Sequence, residues 1–138
     1  MINNSKNDLI TYLLNYAMKH GFSYTLVKAD PRNPSVSFKD SKRMFINTNW
    51  INKDEIPFTI AHEIGHLMLG DQGIMYFSSF AGQNSEEKPA DDFGLKLIYD
   101  YSCKMGDGFT EPIDFIQNYG IPHRMLNSAI KLFKECPE

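Results

Sequence analysis

Cysteine is scarce in this chain. Cys103 and Cys136 stand far apart and form no Cys-x-x-Cys pair. That excludes a disulfide-stapled scaffold and fits the reducing cytosol, where paired thiols are rare. Long apolar runs are also missing: nothing approaches the ~20 residues that a membrane span needs. A basic excess is absent, since 14 Lys and Arg face 17 Asp and Glu for a formal net charge of −3. A whole-domain footprint for nucleic acid is therefore not expected. There is no internal repeat and no low-complexity linker. What remains is ordinary globular composition, 42% hydrophobic and 22% charged, which argues against disordered and fibrous classes. The 138 residues are enough for one domain, 1–138, with a buried core. The polar opening Met1-Ile2-Asn3-Asn4-Ser5-Lys6 leads into an amphipathic segment and does not read as a secretory leader.

Periodicity predicts the elements. Leu9, Ile10, Leu13, Leu14, Ala17 and Met18 fall on one helical face, with Ser5 and Asp8 as a starting cap and Gly21 as the stop. Phe22 to Val27, Val36 to Phe38 and Met44 to Ile46 read as strands around polar turns at 30–34 and 39–43. By pattern they form a small antiparallel sheet of about three strands. A second helix is expected from an N-cap at Asp54, through Pro57 at the third helical position, to Gly70. Residues 71–84 read as a loop. A third helix runs from Ser85 to about Tyr99, with Pro89 in its first turn. Glycines 106 and 108 break the chain. Thr110-Glu111-Pro112 opens a fourth helix, Gly120 closes it and Pro122 starts a fifth. The expected class is α+β, with about five helices gathered to one side of the small sheet.

The segment richest in chemistry is His62-Glu63-Ile64-Gly65-His66. Residues four apart on a helix lie one turn apart on one face, so two imidazoles so placed can grip one metal ion. Glu63 sits beside them, near enough to hold an activated water as general base without being forced to ligate. The alternative is a pair of histidines on a core-facing helix with satisfied hydrogen bonds. The capped helix around the motif favours the metal reading.

Two histidines do not complete such a site, because catalytic zinc usually takes three protein ligands and leaves one position open. His20 has no supporting pattern, and His123, in the final helical pair, reads as structural. Both cysteines lie downstream of the histidine pair. Glu87 is the better candidate. Glu87 and Asp91 are four apart on the third helix, so Glu87 can complete a two-His, one-carboxylate site while Asp91 accepts the outer N–H of a ligand imidazole. Glu86 would otherwise compete, but both acidic residues also suit an ordinary helix N-terminus.

At this point the chain resembles the ImmA/IrrE metallo-endopeptidases, small gluzincin-type proteins of phages, mobile elements and bacteria. Four stretches carry the resemblance. Arg43-Met44-Phe45-Ile46-Asn47 is similar to the strand before the active-site helix, and Phe58 to Leu67 is similar to the central signature of the family. Glu87-Lys88-Pro89-Ala90-Asp91-Asp92-Phe93 is similar to its third-ligand helix, and Phe115 to Leu126, with Tyr119-Gly120-Ile121-Pro122, to the helical pair that follows. Gly94 stands where the family often has Ala, and Leu97-Ile98-Tyr99-Asp100 replaces a Leu-Leu-Met-Pro ending. The resemblance implies a zincin-like active-site helix and a regulatory protease that cleaves or antagonises a helix-turn-helix repressor.

The expected mechanism is hydrolysis at zinc, with manganese or another divalent ion as alternatives, His62, His66 and Glu87 as ligands, Glu63 as base and Asp91 behind a ligand imidazole. Tyr76, Tyr99, Tyr101 and His123 are candidates for a further donor to the oxyanion. A rival class is a non-catalytic antirepressor in which a metal serves structure, though a structural site needs no general base. A third is DNA binding by the last two helices. From Phe109 onward, however, Arg124, Lys131 and Lys134 face Glu111, Asp114, Glu135 and Glu138, which leaves no cationic surface for phosphates. Neither a direct nucleic-acid partner nor a membrane is expected.

Overall fold

The computed structural model describes residues 4–70 and 80–135, and the side chains of 6–70 and 87–135. The side chains of Ser5, the expected cap, and of Glu86, most of the loop expected at 71–84, Tyr76 and Cys136 lie outside what is described.

Helix α1 spans Asn4–Lys19. It buries Leu9, Leu13 and Ala17 completely, one residue per turn along a single stripe. Met18 was expected on that face but is 59% exposed, because it lies one step, about 100°, around the helix from Ala17. The helix stops at Gly21, whose φ of 81° is left-handed. Its N–H donates to Met18 O, and that of Phe22 donates to Ala17 O, so two orphan carbonyls are satisfied.

Strands β1 (Ser23–Val27), β2 (Val36–Phe38) and β3 (Arg43–Asn47) form one sheet in the order β1-β3-β2. The pair β2–β3 is antiparallel, as expected, with Ser37 opposite Met44. The pair β1–β3 is parallel, with Thr25 opposite Phe45, so the sheet is mixed where an antiparallel one was expected. The physical reason is the turn at 30–34. It does not fold β2 back onto β1 but carries the chain past, and the hairpin at 39–42 then returns β3 into the gap. Met44 and Ile46, both fully buried, point from the central strand into the core.

A 3-10 turn at Lys53–Glu55 leads into α2 (Ile56–Gly70), one residue later than the start a cap at Asp54 implies, so Pro57 is the second helical residue and not the third. Helix α3 runs from Phe80 to Met105, longer at both ends than Ser85–Tyr99. Pro89 therefore lies inside the helix and not in its first turn, where its missing N–H would have cost nothing. Helices α4 (Pro112–Tyr119) and α5 (Leu126–Glu135) follow, with a 3-10 turn at His123–Met125 between them. Phe115, Ile116, Tyr119, Met125 and Ala129 are buried, whereas Ile130 is 37% exposed. The architecture is α+β, with five helices and a three-stranded sheet among the described residues. None of the described helices is long and apolar enough to cross a membrane.

Gly120 joins the C-terminal pair to the rest of the fold. It ends α4 at φ 68°, and a Cβ there would lie 1.8 Å from Asp54 O. Gly21 has the same sign of φ but nothing within 4 Å of such an atom. Gly21→Ala should therefore cost only the left-handed strain, about 1 kcal/mol. Gly120→Ala adds a collision with backbone and should cost at least about 2 kcal/mol more. Urea denaturation of the two variants checks the ranking; equal losses would show that the approach to Asp54 is not a constraint.

Candidate metal centre

Helix α2 carries His62 and His66 one turn apart, and their rings meet edge to face with centroids 4.7 Å apart. The two Nε2 atoms point at each other across 3.1 Å. Helix α3 crosses α2 closely because both helices present glycine at the crossing. A Cβ on Gly65 would lie 2.8 Å from Ala90 O, and one on Gly94 would lie 3.0 Å from the backbone of Ala61 and His62. A side chain has no room at Gly65, and one at Gly94 would have to push the facing backbone away. That approach brings Glu87 Oε1 to 2.6 Å from His66 Nε2 and 3.4 Å from His62 Nε2. One ligand atom from each of His62, His66 and Glu87 thus lies within 4.8 Å of the others.

Asp91, one turn after Glu87, receives a hydrogen bond from His62 Nδ1 at 2.8 Å. An ionised carboxylate only accepts, so Nδ1 carries a proton and Nε2 is the ring atom turned toward His66 and Glu87, where a metal ion would replace any proton it holds. This is the arrangement in which outer carboxylates orient ligand imidazoles. A tetrahedral ion with bonds of about 2.0–2.1 Å separates its ligand atoms by roughly 3.3 Å. The spacings of 3.1 and 3.4 Å match that edge. The 2.6 Å between His66 and Glu87 is that of a charge-assisted hydrogen bond and must open slightly to admit an ion. In donor type and convergence the three residues fit a divalent transition metal.

The electrostatics agree. Burial works against a charged His62, but the hydrogen bonds to Asp91 and Glu87 outweigh it and hold the imidazole up at about 10. Hydrogen bonds from His62 and His66 hold Glu87 well below the usual carboxylate range. Burial raises Asp91, and hydrogen bonds from His62 and Arg124 more than reverse it. The carboxylates are thus anionic and the surplus proton resides on the imidazoles. A dication at the same point would satisfy the same acceptors.

Glu63 differs from both. It is 6% exposed, and burial pushes its carboxyl upward. Its Oε1 has no hydrogen-bond partner among the described residues, and neither does the buried Ser37 Oγ of β2. It nonetheless lines, together with His62, His66 and Glu87, a cleft of about 470 Å³. Pro34, Ser35 and Val36 form part of the opposite wall.

That wall is held by Asn47, whose role the sequence did not reveal. Its Oδ1 accepts from the N–H groups of Ala29 and Asn49, and its Nδ2 donates to Asp30 O and Asn33 O. Arg124 is a second omission: it lines the cleft and pairs with both oxygens of Asp91. Of the residues expected as oxyanion donors, Tyr99 and Tyr101 lie elsewhere. Tyr99 packs between Phe115 and Phe133, and Tyr101 against Tyr12 and Tyr119; neither lines the cleft. His123 is exposed and also absent from the lining. His20 ends α1 with its Nδ1 donating to Tyr16 O.

Compared with known proteins, the chain matches no family model, no curated protein and no solved structure.

The geometry ranks three substitutions. Glu87→Gln should weaken zinc binding by at least about tenfold, since outer changes alone commonly cost that much. Glu86→Gln should be nearly silent, as that residue sits about 100° around the helix. Asp91→Asn should fall between them. Zinc titration of the three metal-free variants gives the order, and a damaging Glu86→Gln beside a silent Glu87→Gln would reassign the third ligand. Gly94→Val should weaken zinc binding as well, by forcing apart the helices that carry the two halves of the site. Unchanged affinity in a folded Gly94→Val protein would show that the glycine crossing does not set the spacing.

Proposed function

We propose that this protein is a metal-dependent endopeptidase with His62, His66 and Glu87 as ligands and Glu63 as general base. The observation that carries the reading is the convergence of two Nε2 atoms and one carboxylate oxygen beside a buried carboxylate that faces an open cleft. Three ligands leave room for water and substrate, whereas a structural zinc site is closed by four. Zinc is the preferred ion, with manganese or another divalent ion as alternatives; when bound, it acidifies water and polarises a carbonyl.

The rest of the work falls to the chain. Asp91 fixes the His62 tautomer through Nδ1–H and presents Nε2 to the cleft. Glu63 takes a proton from the attacking water and returns it to the leaving amine. Its burial suits that task, because a carboxyl raised from its ordinary value is a stronger base than an exposed one. The cleft wall at Pro34 to Val36 limits the approach of an extended peptide.

The substrate class rests on the resemblance to the ImmA/IrrE proteins: a helix-turn-helix repressor whose cleavage derepresses a mobile element or stress genes. The two cysteines and the lack of a membrane-length apolar helix among the described residues support a cytoplasmic setting for that reaction.

Glu63→Gln keeps the ligands and removes the base. With zinc bound equally to both proteins, cleavage of a candidate repressor should fall by at least about a hundredfold in the variant, within the usual contribution of general base catalysis. Equal cleavage by both would eliminate Glu63 as base. Tight binding of intact repressor by both, without cleavage, would favour the antirepressor reading instead.

A further inference from the structure

Arg124 is a cation that lines the cleft and that ligation and base catalysis leave without a role. It enters from the 3-10 turn after α4, and touches both helices that build the site. Nη1 and Nη2 donate to Oδ2 and Oδ1 of Asp91 on α3, the latter at 3.3 Å. The guanidinium also lies over the ring of Phe58 on α2, 5.7 Å from its centroid, one helical turn before His62. Asp91 Oδ1 is the same atom that accepts from His62 Nδ1 at 2.8 Å. A planar fork on both oxygens fixes the plane of a carboxylate, which a single donor leaves free to rotate.

We propose that Arg124 is a positioning residue for His62, acting through Asp91. Braced over the ring of Phe58 and clamping the carboxylate, it holds the acceptor that orients the imidazole, and so links the C-terminal helical pair to the metal centre. The inference rests on the metal reading above. A plain electrostatic role has the opposite sign: a nearby cation repels a dication, so removing it would tighten metal binding. Positioning requires that removal weaken it.

The test uses the full chain and zinc titrated in competition with a chromophoric chelator. Arg124→Ala should bind zinc at least about threefold more weakly than wild type, a smaller loss than for groups touching the ligand directly. Arg124→Lys keeps the charge without the fork and should fall between the two. In an Asp91→Asn background, Arg124→Ala should add less than about a twofold change, because the two residues act in series. Imidazole 15N spectra of the zinc-loaded proteins supply a second readout: the His62 Nδ1–H signal should shift or broaden in Arg124→Ala while the His66 signals stay in place. Arg124→Ala binding zinc as tightly as wild type or more tightly would overturn the proposal, as would an equal loss with and without Asp91. Wild type that binds no zinc would overturn the metal reading itself, and this inference with it.

Discussion

Everything at this centre depends on how closely α2 and α3 cross. Gly65 faces the opposite backbone at a distance that excludes even a methyl group, and Gly94 at one where a methyl would have to push that backbone away. Helices with ordinary side chains at the contact pack 8–10 Å apart; glycine on both sides of this crossing permits a close approach and brings short side chains within reach of each other. A glutamate side chain has only three torsions with which to span the gap. The crossing therefore decides whether Glu87 meets the two imidazoles or points into solvent. Glycine inside a helix carries an entropic penalty, and the packing of Ile60, Ile64, Leu67, Leu95 and Ile98 around the crossing offsets it.

The charges are arranged in series: Arg124 on Asp91, Asp91 on His62, and the imidazole pair on Glu87. Each partly buried charge thus has an opposite neighbour, the condition under which burial of charge is tolerated. Glu63 stands outside the series. Its Oε1 has no hydrogen-bond partner among the described residues, and burial outweighs the attraction of His62 and His66, so its carboxyl stays raised where Glu87 and Asp91 are lowered. A group left in that condition is more basic than its neighbours, and two kinds of carboxylate arise from one local fold.

Much of the centre was legible because helical spacing is rigid. His62 and His66, like Glu87 and Asp91, are four apart, and that number alone places each pair on one face. Gly21, Gly106 and Gly120 were legible as stops because left-handed φ favours glycine. Long-range relations were not legible. Arg124 lies 33 residues from Asp91, and nothing local marks it as anything but a surface cation. Gly94 appeared only as a departure from alanine, since its meaning lies in the backbone of another helix. The parallel pairing of β1 with β3 escaped for the same reason: strand periodicity tells which face is buried but not which neighbour is paired. The early start of α3 was obscured by Pro89, whose least costly place is a first turn.

Asn47 has a consequence of a different kind. All four of its side-chain hydrogen bonds go to main-chain groups, three of them in the loop ahead of β2. Main-chain groups are common to every residue type except the proline N–H. The path of the cleft wall thus leans on one buried amide on the central strand, with smaller contributions from Asp30 Oδ1, which accepts from Arg32 N–H, and Ser35 Oγ, which accepts from Asn47 N–H. Shape and surface chemistry are inherited separately there: the loop's outward residues are open to evolutionary drift, and with them the choice of what the cleft accepts, while the contour of its rim persists.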